Sequence, residues 1–174
     1  VIIMLNRKQP KYSQRDKQRR GAEFEKEFRN SLSYFNLWGH KLECDGYNPQ
    51  PFDFILTTKG GACGVELKCT QSFMLPYSAI RGSKSKGKKS QREGLTEFES
   101  KIHTNKSFIL VRVLNDTTDK IFVVPWAKVK DDVCGPKRGS INLLDYPATP
   151  IPWIHIGNKR VINLRFFEEV HNEV

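Results

Sequence analysis

Asp53 is followed, after a gap of twelve residues, by Glu66-Leu67-Lys68. Two carboxylates and an amine so arranged suit phosphodiester hydrolysis, provided the chain brings them together. Like charges held close disfavour each other's ionisation. A divalent cation removes that conflict. Hard oxygen ligands favour Mg²⁺, with Mn²⁺ as its substitute, because such an ion keeps several waters and takes phosphate oxygens as further ligands. The ion polarises a scissile phosphate, helps generate hydroxide and neutralises charge on the leaving oxygen. A neighbouring amine positions the attacking water or stabilises the transition state. Asp53 and Glu66 are thus candidate ligands and Lys68 the candidate catalytic amine.

The elements around these residues must supply the convergence. FDFILTT (52–58) and ACGVELKCT (62–70) are β-like runs joined through Lys59-Gly60-Gly61, a hairpin pattern. Strand periodicity puts Glu66 and Lys68 on one face, and the hairpin brings Asp53 alongside. Glu-x-Lys alone is not specific. Glu99-Ser100-Lys101 repeats it on a helix, where it reads as an exposed charge cluster. For the first copy the plain alternative is a hairpin with surface ion pairs, worth little energy. Its β-like flanks, the preceding Asp and the basic surround favour the metal site.

Phe24, Phe28, Leu32 and Phe35 recur at helical spacing, so the first helix runs from a Ser13–Asp16 cap to about residue 36. Glu25 lies about 100° round the helical wheel from Phe24, on the rim of the apolar face. Glu23 and Glu27 lie further off. Glu25 is therefore the acid best placed to look into the site; the alternative for all three is a solvated helix face. Leu95, Phe98 and Ile102 mark a second helix over 90–103, with Gln91 one turn before Leu95, either at the site edge or simply on the surface. KLECD (41–45) is a further strand, Gly39 and His40 end the first helix, and 76–90 reads as a mobile loop. SFILVRVL (107–114) and KIFVVPW (120–126) form a hairpin across Asn-Asp-Thr-Thr-Asp. The order α-β-β-β-α-β-β predicts an α/β fold around a mixed sheet. VINLRFF and the rest of the last 40 residues have no firm placement.

The chain has 174 residues and a formal net charge of +10. Residues 1–20 carry seven cations against one acid, and 81–92 carry six cations and no acid. The body is near neutral, with two basic arms suited to phosphate contacts. Arg19, Arg20, Arg81, Lys84, Lys86, Lys88, Lys89 and Arg92 are the candidate contacts; the alternative is a solvated tail and loop. Residues 1–12 read as a flexible arm and 13–174 as one domain. No apolar run spans a membrane, and the opening residues do not form a secretory signal. Cys44, Cys63, Cys69 and Cys134 lack disulfide-scaffold or zinc spacing, so reduced thiols in a cytoplasm are expected.

Taken together, Pro51-Phe52-Asp53 … Glu66-Leu67-Lys68 resembles the PD-(D/E)xK nuclease superfamily. Within it the chain resembles the Holliday-junction resolvases of the archaeal Hjc and bacterial RecU types. RRGAEFEKEF (19–28) is similar to their first-helix opening, with its acid at Glu25. ELKCT, ending at Thr70, is similar to the RecU motif, and SQREGLTEF (90–98) to the archaeal helix that begins with the motif Gln, here Gln91. The resemblance covers about residues 19–130 and leaves 131–174 as a C-terminal extension. It implies a restriction-endonuclease-like α-β-β-β-α-β core and a Mg²⁺-dependent endonuclease without a small-molecule cofactor. It also implies a homodimer that nicks opposing strands of a four-way DNA junction, in a bacterial, archaeal or phage-infected cell. Asp53 and Glu66, with Glu25 and the Leu67 carbonyl, would bind metal. Lys68 would be catalytic, Gln91 supporting, and Thr70 a DNA contact. RecU enzymes carry a stalk before the motif Asp, for which only Gly39 to Pro51 is available here. The 81–92 loop is then expected to take part of the DNA binding. The other functions open to the same residues are a restriction or repair endonuclease, or a non-enzymatic nucleic-acid-binding module.

Overall fold

A computed structural model describes residues 13–43, 50–81 and 90–169. The basic arm 1–12, Cys44 and the four lysines Lys84, Lys86, Lys88 and Lys89 lie outside the described residues. In chain order the elements are α1 (Gln14–Leu32), β1 (Trp38–Lys41), β2 (Phe54–Thr58), β3 (Gly61–Thr70), β4 (Met74–Pro76), α2 (Ser78–Arg81) and α3 (Gln91–Lys101). They continue as β5 (Lys106–Leu114), β6 (Asp119–Pro125), α4 (Trp126–Cys134), β7 (Ser140–Asn142), β8 (Thr149–Ile151), β9 (Trp153–Ile156), β10 (Lys159–Ile162) and α5 (Arg165–Glu169). None of these helices is long and apolar enough to cross a membrane.

Six strands form the central sheet in the order β1-β2-β3-β5-β6-β8. β3 and β5 run parallel, and every other pairing is antiparallel. The sheet is therefore mixed, and α3 lies in the crossover between its two parallel strands, as such a pair requires. Side-chain alternation divides the core into two layers. Phe54, Leu56, Val65, Leu67, Phe108 and Leu110 meet the Phe24–Phe28–Leu32 stripe of α1 on one face. Ile109, Val111, Val113, Phe122 and Val124 meet Leu95 of α3 and Trp126, Val129 and Val133 of α4 on the other.

Three boundaries differ from the sequence reading. α1 ends at Leu32 and is capped at Ser33, while Gly39 and His40, expected to stop it, belong to β1. A Cβ on Gly39 would lie 2.6 Å from Leu32 Cδ1 and 2.7 Å from Leu56 Cδ2. The glycine thus marks a close helix–strand approach rather than a helix stop. Within the 76–90 segment read as a loop, residues 78–81 form the single turn of α2, with Ile80 fully buried. The unplaced C-terminal segment is built into both layers. β8 extends the sheet beside β6, and Ile162, Leu164 and Phe167 join the α1 core.

Candidate active site

β2 stops pairing with β3 at Phe54↔Val65, whereas β3 continues beside β5 as far as Thr70↔Val113. Beyond Val65, no strand among the described residues pairs with β3 on its β2 side. The sheet has a notch there, and the sequence motif lies at it. The Asp53 amide donates to the Val65 carbonyl (3.1 Å) and the Leu42 amide to the Asp53 carbonyl (2.8 Å), so the residue before β2 is fixed from both neighbours. Its carboxylate turns across the notch. Oδ2 accepts from the Leu67 amide at 2.7 Å and Oδ1 from Gln50 Nε2 at 3.0 Å. A strand residue projects N–H and C=O to the same side, so the Leu67 carbonyl also emerges toward Asp53.

Glu66 and Lys68 share a face of β3, opposite Ile109 and Val111 in register. Lys68 Nζ lies 2.7 Å from Glu66 Oε1 and donates to Gln91 Oε1 at 2.8 Å. Two features of α3 bring Gln91 there. Ser90 and Glu93 form a reciprocal capping box that starts the helix at Gln91. Gly94 then lets the helix approach the chain before Asp53: a Cβ there would sit 2.4 Å from the Pro51 carbonyl oxygen.

Glu66 is only 1% exposed, and its Oε2 is buried without a hydrogen-bond partner. Burial pushes its carboxyl up to about 8, the charge of Asp53 adding to this against the pull of Lys68. Burial also raises Asp53, against the Leu67 amide and Lys68. An acid this deep with an open lone pair is expensive unless a cation meets it. The donor set fits one. Carboxylate and carbonyl oxygens are the hard ligands Mg²⁺ prefers, and this ion needs only one or two protein carboxylates.

Glu25 comes to the site from the helix side, within electrostatic reach of Asp53 and Glu66. Its helix covers the face of the sheet opposite Glu66 and Lys68, and its carboxylate is bound by Lys41 Nζ. Among the described residues no three Asp, Glu, His or Cys side chains gather as a cation cage. Glu25 acts on Asp53 and Glu66 through its charge, which disfavours the ionisation of each. The wheel placed Glu25 on the rim of the apolar face, but a wheel does not say which face of the sheet that rim meets. The strand expected over 41–45 lies at Trp38–Lys41, so Lys41 ends it rather than starts it, and its pairing with Glu25 is a tertiary contact that the sequence does not display. The charge of Lys41 favours ionisation of Asp53.

The candidate DNA contacts separate. Arg20 Nη1 donates to the Leu114 carbonyl at 2.9 Å, and Arg19 lies at the surface within 3.8 Å of Asp16. Thr70 ends β3, and Arg92 is partly exposed in the first turn of α3. Arg81 has a structural task instead: Nε donates to the Val133 carbonyl (2.6 Å), and Nη2 to those of Gly135 (2.6 Å) and Lys137 (2.7 Å). It closes the end of α4, where orphan carbonyls need donors. Glu99, expected in an exposed cluster, is half-buried and accepts from the Ser107 amide at 3.0 Å, bracing α3 against β5.

The mixed sheet, the helix on each face and the crossover helix define the restriction-endonuclease-like α/β fold. The chain is similar in structure to Hjc, a Holliday junction resolvase from the archaeal hyperthermophile Archaeoglobus fulgidus. The TM-score is 0.50 and the identity 17%, over 72% of this chain and 89% of that one. No family model matches the sequence, and neither does any curated protein.

Proposed function

We propose that this chain is a Mg²⁺-dependent endonuclease that resolves four-way DNA junctions by paired nicks, acting as a homodimer. The observation that carries the proposal is the Glu66 carboxylate, buried beside Asp53 and bonded to Lys68, with one oxygen left without a partner. Structural likeness to an archaeal resolvase and the excess of cations support the choice of substrate. Asp53, Glu66 and the Leu67 carbonyl would hold the cation, which when bound supplies Lewis acidity toward the scissile phosphate. Mn²⁺, with similar ligand preferences, would substitute.

The protein's own groups do the rest. Asp53 is oriented by the Leu67 amide and Gln50 before any ligand arrives. Lys68 is held between Glu66 and Gln91, so its ammonium is aimed where a phosphate oxygen or attacking water would sit, at little reorganisation cost. Glu25 and Lys41 balance the charge behind Asp53. Arg20 and Arg92 provide phosphate contacts, joined by the arm 1–12 and the lysines of 84–89. A second copy is required because one site cuts one strand.

The test is cleavage of an immobile four-way junction with Mg²⁺, beside matched linear duplex and single strand. Paired, symmetric nicks in the junction with little cutting of the controls are expected. Equal cutting of junction and duplex would instead mark a restriction or repair nuclease, and no cutting at all a binding module.

A further inference from the structure

The notch opens into a groove of about 440 Å³ that Lys68 lines at one end and that Asp53 and Glu66 do not line. Its size falls within the roughly 300–1,000 Å³ of clefts that hold small ligands. The floor is apolar, made by Leu75, Met74 and Leu114, with Ala79 of α2 as one wall. Met74 is 47% exposed, whereas Leu75 is buried. The rim is cationic. Lys17 and Arg20 stand three residues apart on one side of α1, and Arg20 is anchored on the Leu114 carbonyl that belongs to the same wall. Thr70 and Ser72 add hydroxyls at the end of β3, and among the described residues no acidic one lines the groove.

A track for duplex backbone needs surface charge alone. An apolar cleft beneath a cationic rim, beginning at the candidate catalytic amine, matches a different shape: a phosphate at the rim and a base on the floor. Bases inside a duplex are stacked and paired, and withdrawing one costs several kilocalories. A base at a branch point or other unpaired position comes out far more readily, and enzymes that extrude bases hold them between apolar side chains.

We infer that the groove of Lys17, Arg20, Thr70, Met74, Leu75 and Ala79 captures one unstacked nucleotide of branched DNA next to the phosphate presented to Lys68. The inference builds on the nuclease reading for the position of the cut, but the capture itself requires no cleavage. It gives the site a means of preferring branched over linear DNA that neither the carboxylates nor the basic arms supply.

The experiment uses the full chain in EDTA with a four-way junction carrying 2-aminopurine at a branch-point position, and a duplex carrying it internally. Binding should raise the fluorescence of the junction several-fold and leave the duplex unchanged, as expected for a base leaving the stack. Ala79→Trp fills the groove from an exposed position on α2. It should abolish the rise and weaken junction binding about tenfold, the scale of losing one stacked base. Duplex binding should change by less than about twofold because the phosphate contacts remain. Met74→Ala adds no bulk and should reduce the rise in the same direction. The inference is overturned if the wild-type chain binds the junction without a rise, or if Ala79→Trp keeps the full rise. Failure of the nuclease reading would look different: the fluorescence response intact, with no Mg²⁺-dependent cleavage of the unlabelled junction.

Discussion

Each face of the central sheet buries one cluster of charge, and the two are built to opposite standards. On the α1 face, Arg112 is 5% exposed. It donates from Nε and Nη2 to the two oxygens of Asp119 (2.8 and 2.9 Å) and from Nη1 to Glu27. Arg160 donates to the same Asp119 at 2.7 Å, and both guanidiniums lie over the Trp153 ring. Burial works against ionisation of Asp119, yet the two arginines hold its carboxyl below the ordinary value. The loose end is the buried Trp153 Nε1 without an acceptor, a neutral donor. On the other face, Glu66 is buried more deeply, has one cation for company and keeps an open oxygen, and its carboxyl moves up. Matched charges fix a structure, whereas a buried charge left short of partners marks a candidate functional site.

Substitution should expose that difference. Lys68→Ala is expected to reduce junction cleavage by about 10²–10³-fold, the scale of losing a principal electrostatic stabiliser. Its junction affinity should stay near wild type; joint loss of binding and cleavage in a folded variant would contradict the division of roles. Arg112→Ala should do the reverse. It strands Glu27, leaves Asp119 with Arg160 alone, and should cost about 3 kcal/mol of stability by chemical denaturation, with cleavage at low temperature largely kept by the folded fraction.

How much of this was legible in the sequence follows the same division. Asp53 … Glu66-Leu67-Lys68 was legible because a two-residue period and a glycine turn dictate a hairpin whatever lies around it. The six-element core was legible because its helices and long strands carry enough repeats to show a period. Arg112 was not singled out. Within SFILVRVL a lone arginine is indistinguishable from an outward-facing strand residue until Glu27 and Asp119 are known to meet it. Lys41 and the tether on Glu25 depend on which sheet face α1 covers, a tertiary fact. Strands β7 to β10 have three or four residues each, too few for alternation to register. Arg81 was grouped with the lysines after it because composition does not distinguish a charge that closes a helix from one that meets solvent.

The two clusters should also respond oppositely to pH. Glu66 ionises near 4.5 in an unfolded chain and near 8 in the folded one. Between those values the unfolded chain binds fewer protons, so stability falls as pH rises from about 5 to 8, by about 1 kcal/mol or more. Glu66→Gln should flatten that slope. Added Mg²⁺ should raise the melting temperature of the wild type at pH 8, since a ligand of the native state stabilises it, and leave Glu66→Gln unmoved. Asp119 lies below its ordinary 3.8, so its contribution is present above that pH and is lost on acidification. Melting curves from pH 3 to 9 for wild type, Glu66→Gln and Asp119→Asn separate the two slopes. The smallest effect expected is for Gln91→Ala, which frees one bond on Lys68: a several-fold loss of cleavage, about 1 kcal/mol in the barrier, with stability unchanged.

The notch beside β3 has one more implication, for the behaviour of the protein in concentrated solution. Past Val65 this edge of β3 has no strand partner among the described residues, only the Asp53 carboxylate on the Leu67 amide; an open edge is a template onto which another chain can zip, and inward-pointing charge is a usual deterrent. Lys68, Glu66 and Asp53 are charges of that kind. Neutral substitution of these three residues removes part of that guard, so such variants are expected to clump at lower concentrations than the parent.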